Sequence, residues 1–315
     1  TVNAIAAERP LTRRQLPAAW DLAFCWLADE PTCHHPAMPL SIMTAMVTTA
    51  LTWGWPYEAA VLMLSWAGVM RIGEVLCALR RDLVLPVDAA PGTSFALVII
   101  RAPKTRGRAA NHQSARIDQS DIIAFLTSMY GSSPADSSIW PYSAATLRKR
   151  FVNLLNALEL PTEKRGEARP FDLGSLRPGG ATWLLHHTGD LELVRHRGRW
   201  LSVRTMNIYL QEVQVATYIV RVAPRTRFLI EVCAGAFAFT LARAIAFLDS
   251  GIPPAAWYAL LKISAGSPSK SSGKDGKGGL FEPGIQQQPD PGMMTSPCTA
   301  AKDRGRLSYI CIVYQ

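Results

Sequence analysis

Apolar residues recur at helical spacing through most of the first half of the chain. Leu16, Trp20, Ala23, Phe24 and Leu27 share one face of a helix predicted over Leu16 to Ala28, which Pro31 to Pro36 then breaks. Denser apolar runs predict two further helices, Pro39 to Trp53 and Pro56 to Cys77, the second running into the segment that holds Arg71. The period then changes. Ser94 to Ile100 is rich in β-branched and aromatic residues and predicts a strand. A basic connection, Arg101 to Asn111, leads to a partner strand at Gln113 to Ile117. Helical spacing returns at Asp118 to Tyr130, with Asp118 or Ser120 as the cap. It continues at Ala144 to Leu158, Leu176 to Leu185, Leu191 to Arg197 and Val203 to Val213. One apolar helix is predicted beyond Arg225 through Leu248, and a short one from Pro254 to Ile263. The pattern gives an α+β fold, mainly α-helical, with one small antiparallel sheet. From Ser264 to Ala301, Gly, Ser, Pro and Gln displace the apolar period and predict disorder. Leu307 to Tyr314 reads as a short strand or a translation scar. No internal repeat is present.

At 315 residues the chain is long enough to bury a full core, as one large domain or two modest ones. Its formal net charge of +9 accompanies ordinary hydrophobic content, so the excess reads as a surface field that attracts polyanions. The six cysteines are scattered without CxxC spacing, which favours a reducing compartment over secretion. Cys33-His34-His35 lacks a second ligand pair and reads better as a solvated loop, so no metal and no other cofactor is expected. The apolar runs Leu51 to Met70 and Phe228 to Leu248 contain Pro56 and Glu58, and Glu231 and Arg243. An ionisable residue at mid-bilayer costs about 2.5–3.5 kcal/mol on insertion scales, so both read as core helices, with no membrane partner. The amino terminus shows no secretory signal, and an opening Thr1 is what a fragment would have.

Four segments carry candidate chemistry. Ala67 to Glu74 contains Arg71 and Glu74. Ser175 to Thr182 contains Arg177. Lys104 lies in the basic connection. Gly198 to Tyr209 contains Trp200 and ends on Tyr209. Arg177 precedes Trp200 by 23 positions and Trp200 precedes Tyr209 by nine. With the Arg-Ile-Gly-Glu box, these intervals resemble the tyrosine recombinase, or phage-integrase-like, family over roughly residues 36 to 215. Leu176-Arg-Pro-Gly-Gly-Ala-Thr and Gly198-Arg-Trp look most like eukaryotic members derived from mobile elements.

The resemblance implies the fold of that family's catalytic core and site-specific recombination or integration of DNA. Tyr209 would attack phosphorus to form a 3′-phosphotyrosine, and the retained bond energy makes ATP unnecessary. Arg71 and Arg177 would clamp the phosphate with their planar forks, Lys104 would protonate the 5′ oxygen, Trp200 would donate its indole N–H, and Glu74 would orient Arg71. Double-stranded DNA is the implied partner, bound by a homotetramer that exchanges a carboxy-terminal segment, here 213–248. Intracellular, nuclear localisation goes with that partner. The implied organisation is a remnant helix of an amino-terminal DNA-clamp domain, or a linker, over 1–35, then a catalytic domain over 36–224. A helical extension over 225–263 and a mostly disordered tail over 264–315 follow.

The residues also admit plainer readings. Arg71 and Glu74 at i,i+3 could be a helix salt bridge, and Trp200 and Tyr209 core aromatics. Arg195, Arg197, Arg199 and Arg204 around Trp200, and Arg101, Arg106, Arg108 and Arg116 along the connection, could be solvated faces. A solvated face normally mixes signs, whereas these single-sign patches suit a phosphate track that Arg148 and Lys149 extend. Gly179 and Gly180 fit either close helix packing or close DNA approach. The family has histidine three residues before its second arginine, where this chain has Gly174. Loss of such a proton-transfer group costs about 10²–10³ in rate. Neither His186, His187 nor His196 obviously replaces it, and His112 could do so only if the hairpin folds over the site. Two readings therefore stand, an active recombinase or a catalytically impaired DNA-binding module of the same ancestry. A membrane-associated protein anchored by Phe228 to Leu248 is the third.

Overall fold

The structure is a computed structural model that describes residues 2–29, 34–101, 113–164 and 169–265. The chain forms two compact units, 1–35 and 36–315. The first consists of helix α1 (Val2–Glu8), a 3-10 turn at Pro10–Arg14, and helix α2 (Pro17–Asp29). Leu22, Phe24 and Trp26 of α2 are exposed.

The second unit is built around helix α3 (Leu40–Thr52), which carries no charge and has nine of its 13 residues buried. A helix apolar all round must lie inside a core. Helix α4 (Pro56–Ala67) packs on α3, opened by a proline at N1 where its missing N–H costs nothing. The predicted helix from Pro56 to Cys77 is in fact two, because α4 stops and α5 (Ile72–Leu76) starts afresh. Between them Val69 N–H donates to Trp66 O and Met70 N–H to Ser65 O, while Val69 takes a φ of 47°. This is a Schellman turn with valine at the left-handed position that glycine normally fills. Apolar periodicity runs straight through it, so the pattern concealed the break.

The sheet is antiparallel in the order β1 (Leu83–Val84), β2 (Ala96–Ile100), β3 (Gln113–Ile117), with Leu83 opposite Val98 and Val98 opposite Ala115. The first strand was not anticipated; two residues are too few to give an alternation. Helices α6 (Ser120–Tyr130) and α7 (Ala144–Ala157) follow. Neither predicted residue caps α6. Gln119 holds the N-cap position with no side-chain bond, and Asp118 instead accepts from Arg116 and Arg197. Arg150 of α7 donates two 2.9 Å bonds to the buried carboxylate of Glu58 in α4, tying those helices together.

Next come α8 (Leu176–Thr188), α9 (Leu191–Gly198), α10 (Val203–Asn207) and α11 (Glu212–Arg221). The helix expected over Val203 to Val213 is thus interrupted, and Tyr209 lies in the break. The apolar helix expected through Leu248 is also two, α12 (Pro224–Gly235) and α13 (Phe237–Asp249), bent by 47° and packed on α3. Among the described residues no single helix is long and apolar enough to cross a membrane. Helix α14 (Trp257–Ala265) ends the described part, so nearly all of the predicted disordered tail and its terminal strand lie outside it.

Candidate nucleic-acid cleavage site

Two glycines bring the parts of the site together. A Cβ on Gly179 would sit 2.2 Å from Met38 O, and one on Gly180 would sit 1.9 Å from Trp66 O. Close packing is therefore what the Gly179-Gly180 pair provides, leaving α8 with its start beside the end of α4. Arg177, in the first turn of α8, comes to lie near Arg71, which follows the Schellman turn.

Arg71 is the N-cap of α5. Its backbone N–H donates to Glu74 Oε2 at 2.9 Å and its Nη1 to Glu74 Oε1 at 2.8 Å. The carboxylate thus caps the helix and orients the guanidinium together. Both the orienting role and the plain i,i+3 salt bridge describe this contact. Glu74 is 8% exposed in its side chain, and Arg71 is 29% exposed.

Helix α9 ends as α4 does. Arg199 N–H donates to His196 O and Trp200 N–H to Arg195 O, with Arg199 at a φ of 57°. A second Schellman turn thereby swings Arg199 and Trp200 inward. Trp200 lies flat against Gly198, where a Cβ would meet its ring at 1.7 Å. It joins Val69, Ala181, Val194 and Met206 in a small second core, against which Tyr209 packs half-buried. The centroids of the Trp200 and Tyr209 rings are 5.0 Å apart.

Arg177 is 4% exposed and lies over both rings, its Cζ 4.9 Å from the Trp200 centroid and 5.6 Å from that of Tyr209. One Nη donates to Gly198 O. Its Nε and Nη1, together with Trp200 Nε1, are buried with no hydrogen-bond partner among the described residues. Burial, and then the charges of Arg71 and Arg199, pull the Arg177 pKa down to about 9. Buried donors are almost always paired, so three orphans on two side chains in contact leave room for an acceptor, and the excess of cations favours an anion.

One hydroxyl holds the turn that carries Tyr209. Thr182 Oγ1, on α8, donates to Tyr209 O at 3.3 Å and accepts from Gln211 N at 3.2 Å. Gln211 Oε1 in turn accepts from Ala37 N at 2.9 Å. Sequence reasoning missed Thr182 and Gln211, since nothing local marks a side chain that bonds a backbone 27 positions away.

Five of the six residues assigned catalytic roles, Arg71, Glu74, Arg177, Trp200 and Tyr209, are thus gathered at one site. Lys104, with Arg106, Arg108 and His112, lies outside the described residues. Of the basic track, Arg148 and Lys149 are exposed on α7 and Arg204 is exposed on α10. Arg101 is exposed and paired with Asp82, and Arg195 with Glu192. Arg197 donates to Asp118 at 2.6 Å, and Arg199 is drawn inward onto Glu74 at 2.7 Å. Gly174 occupies the turn before α8, where its N–H donates to Asp172. His186 sits 3.0 Å from Glu212, His187 stacks on Trp183, and His196 is exposed. Among the described residues no group of three or more His, Cys, Asp or Glu could hold a metal ion.

In comparison with solved structures, the chain is similar to site-specific recombinases. One is the XerH site-specific recombinase bound to its difH substrate in a pre-cleavage complex: 16% identity and a TM-score of 0.41 over 60% of this chain and 54% of that one. The same recombinase bound to palindromic difH in a post-cleavage complex gives 17% and 0.41 over 59% and 54%. The XerA recombinase gives 15% and 0.42 over 62% and 66%. The match spans about half the length of the XerH chains. No protein-family model matches the sequence, and no curated protein does.

Proposed function

We propose that this chain cuts and rejoins strands of duplex DNA as a tyrosine recombinase, with Tyr209 as the nucleophile. The observation that carries this reading is the set of unpartnered buried donors, Arg177 Nε and Nη1 and Trp200 Nε1, around Arg177 as it lies over the Tyr209 ring. A non-bridging phosphate oxygen is the acceptor such donors suit, and placing them beforehand is how charge developing at phosphorus is stabilised. Tyr209 Oη would bond to phosphorus as the P–O5′ bond breaks. The electron pair leaves with O5′, which takes up a proton, Lys104 being the donor the resemblance implies, and the phenol proton passes to solvent. The 3′-phosphotyrosine is then reversed by a 5′ hydroxyl. Assembly as a homotetramer on paired sites, and an origin in a mobile element, belong to the same proposal.

The test uses a pool of nicked duplexes of random sequence, from which a cleaved 5′ fragment diffuses away and traps the intermediate. Denaturing gels should retain a covalent protein–DNA adduct, and Tyr209→Phe should abolish it without loss of salt-sensitive binding. An adduct that persists in Tyr209→Phe removes Tyr209 from the role. A second reading, a DNA-binding module that has lost catalysis, is favoured by Gly174 and by the engagement of His186 and His187 elsewhere. Binding that weakens steeply with salt, with no adduct from any duplex, would select it.

A further inference from the structure

We propose that Arg199 is a third guanidinium of the cleavage site, acting on the phosphodiester as it is attacked; this rests on the strand-cleavage reading above. Its position in Gly198-Arg-Trp suggests an exposed contact to the DNA backbone, but the second Schellman turn points it inward, and its side chain is 7% exposed. Nη2 donates to Glu74 Oε2 at 2.7 Å. The other contacts are long, Nη1 to Arg197 O at 3.4 Å and Nη2 to Val69 O at 3.5 Å. Nε is buried with no hydrogen-bond partner among the described residues.

A structural ion pair does not account for this placement. Glu74 already has both oxygens bonded by Arg71, through the backbone N–H and Nη1, so it needs no second guanidinium. Adding one buries a further charge, which is unfavourable unless something else neutralises it.

Charge identifies the requirement. Among the described residues Arg71, Arg177 and Arg199 face one carboxylate, Glu74, which leaves these guanidinium groups a formal surplus of two positive charges. A phosphodiester carries one negative charge. When a fifth oxygen bonds to phosphorus, the two non-bridging oxygens carry two. The surplus therefore matches the attacked phosphorus better than the resting substrate, the condition for accelerating a reaction rather than only binding its substrate. Without Arg199 the surplus would match the resting diester instead.

The experiment measures adduct formation on a duplex recovered from the random pool, made with either an ordinary scissile phosphate or a methylphosphonate that lacks one charged oxygen. Arg199→Gly suits the left-handed backbone and so removes the guanidinium without a folding penalty there, and Arg199→Lys restores the charge. On the phosphate, Arg199→Gly should slow adduct formation about 10²–10³-fold, as loss of one preorganised donor does, and Arg199→Lys should recover part of the rate. On the methylphosphonate most of the difference between Arg199→Gly and the parent should vanish, because the second charge never forms. Parental rates for Arg199→Gly on the phosphate, or an equal loss on both substrates, would overturn the inference and leave strand cleavage standing. No adduct from the parental chain on any duplex would overturn both.

Discussion

Arg177 is a cation that the fold buries with no carboxylate bonded to it among the described residues. Its pKa falls to about 9, first because burial disfavours the charged form and then because Arg71 and Arg199 repel it. The sign follows from linkage. Below about pH 9 the group is protonated in both folded and unfolded chains, so the cost of burying the charge is fully present. Above that it is relieved, because the folded chain gives up the proton first. Arg177→Met should therefore raise unfolding stability by about 1–4 kcal/mol while abolishing adducts. The gain should be flat between about pH 6 and 8 and shrink above about pH 9, as chemical denaturation across that range would read. A variant no more stable than its parent would mean that the charge is already compensated. At this scale the sequence was a good guide wherever one short segment fixes an interval, as for Trp200 and Tyr209. It was blind to Val69 and Arg199, whose contributions are left-handed φ angles at residues that seldom adopt them.

Among the elements, the decisive fact is how closely α8 approaches the end of α4. Gly180→Ala would place a methyl 1.9 Å from the Trp66 carbonyl oxygen, and backbone cannot rotate away as a side chain can. The helices must part, at a cost of about 1–3 kcal/mol, typical of overpacking. Because Arg177 lies in the first turn of α8 and Arg71 follows α4, adduct formation should fall further than the melting temperature alone suggests. A parental rate in a chain melting several degrees lower would show that helix spacing does not set the distance between the arginines. Element types were legible from the chain and their ends were not. The apolar period that predicted one helix from Pro56 to Cys77, and another from Val203 to Val213, reports which face is buried. It contains no information about the dihedral reversal at Val69, or about a turn at Ile208 to Gln211 held by Thr182. Sheet pairing was easier, since β2 is dense in apolar and β-branched residues and β2 and β3 flank a basic connection.

For the whole molecule, the net charge of +9 is distributed unequally between groups free to meet a polyanion and groups already engaged. Arg197 and Arg101 are committed to Asp118 and Asp82, while Arg148 and Lys149 are exposed on α7. Replacing Arg148 and Lys149 together with Gln should lower the slope of log affinity against log salt by about 1–2. Arg197→Gln should change it little, because that guanidinium has a carboxylate to lose first. Titrations of duplex binding at several salt concentrations would separate the two, and equal slopes would remove α7 from the DNA track. Ala37, just inside the second unit, bonds Gln211. The Thr182 hydroxyl gives this arrangement a mechanical meaning. It grips the turn that carries Tyr209 from the same helix that bears Arg177 five positions earlier, so the tyrosine and the guanidinium ride on one stiff body. Displacing α8 carries both together and leaves the distance between Tyr209 and Arg177 nearly constant, so any compliance of the site has to lie in the joints around that helix.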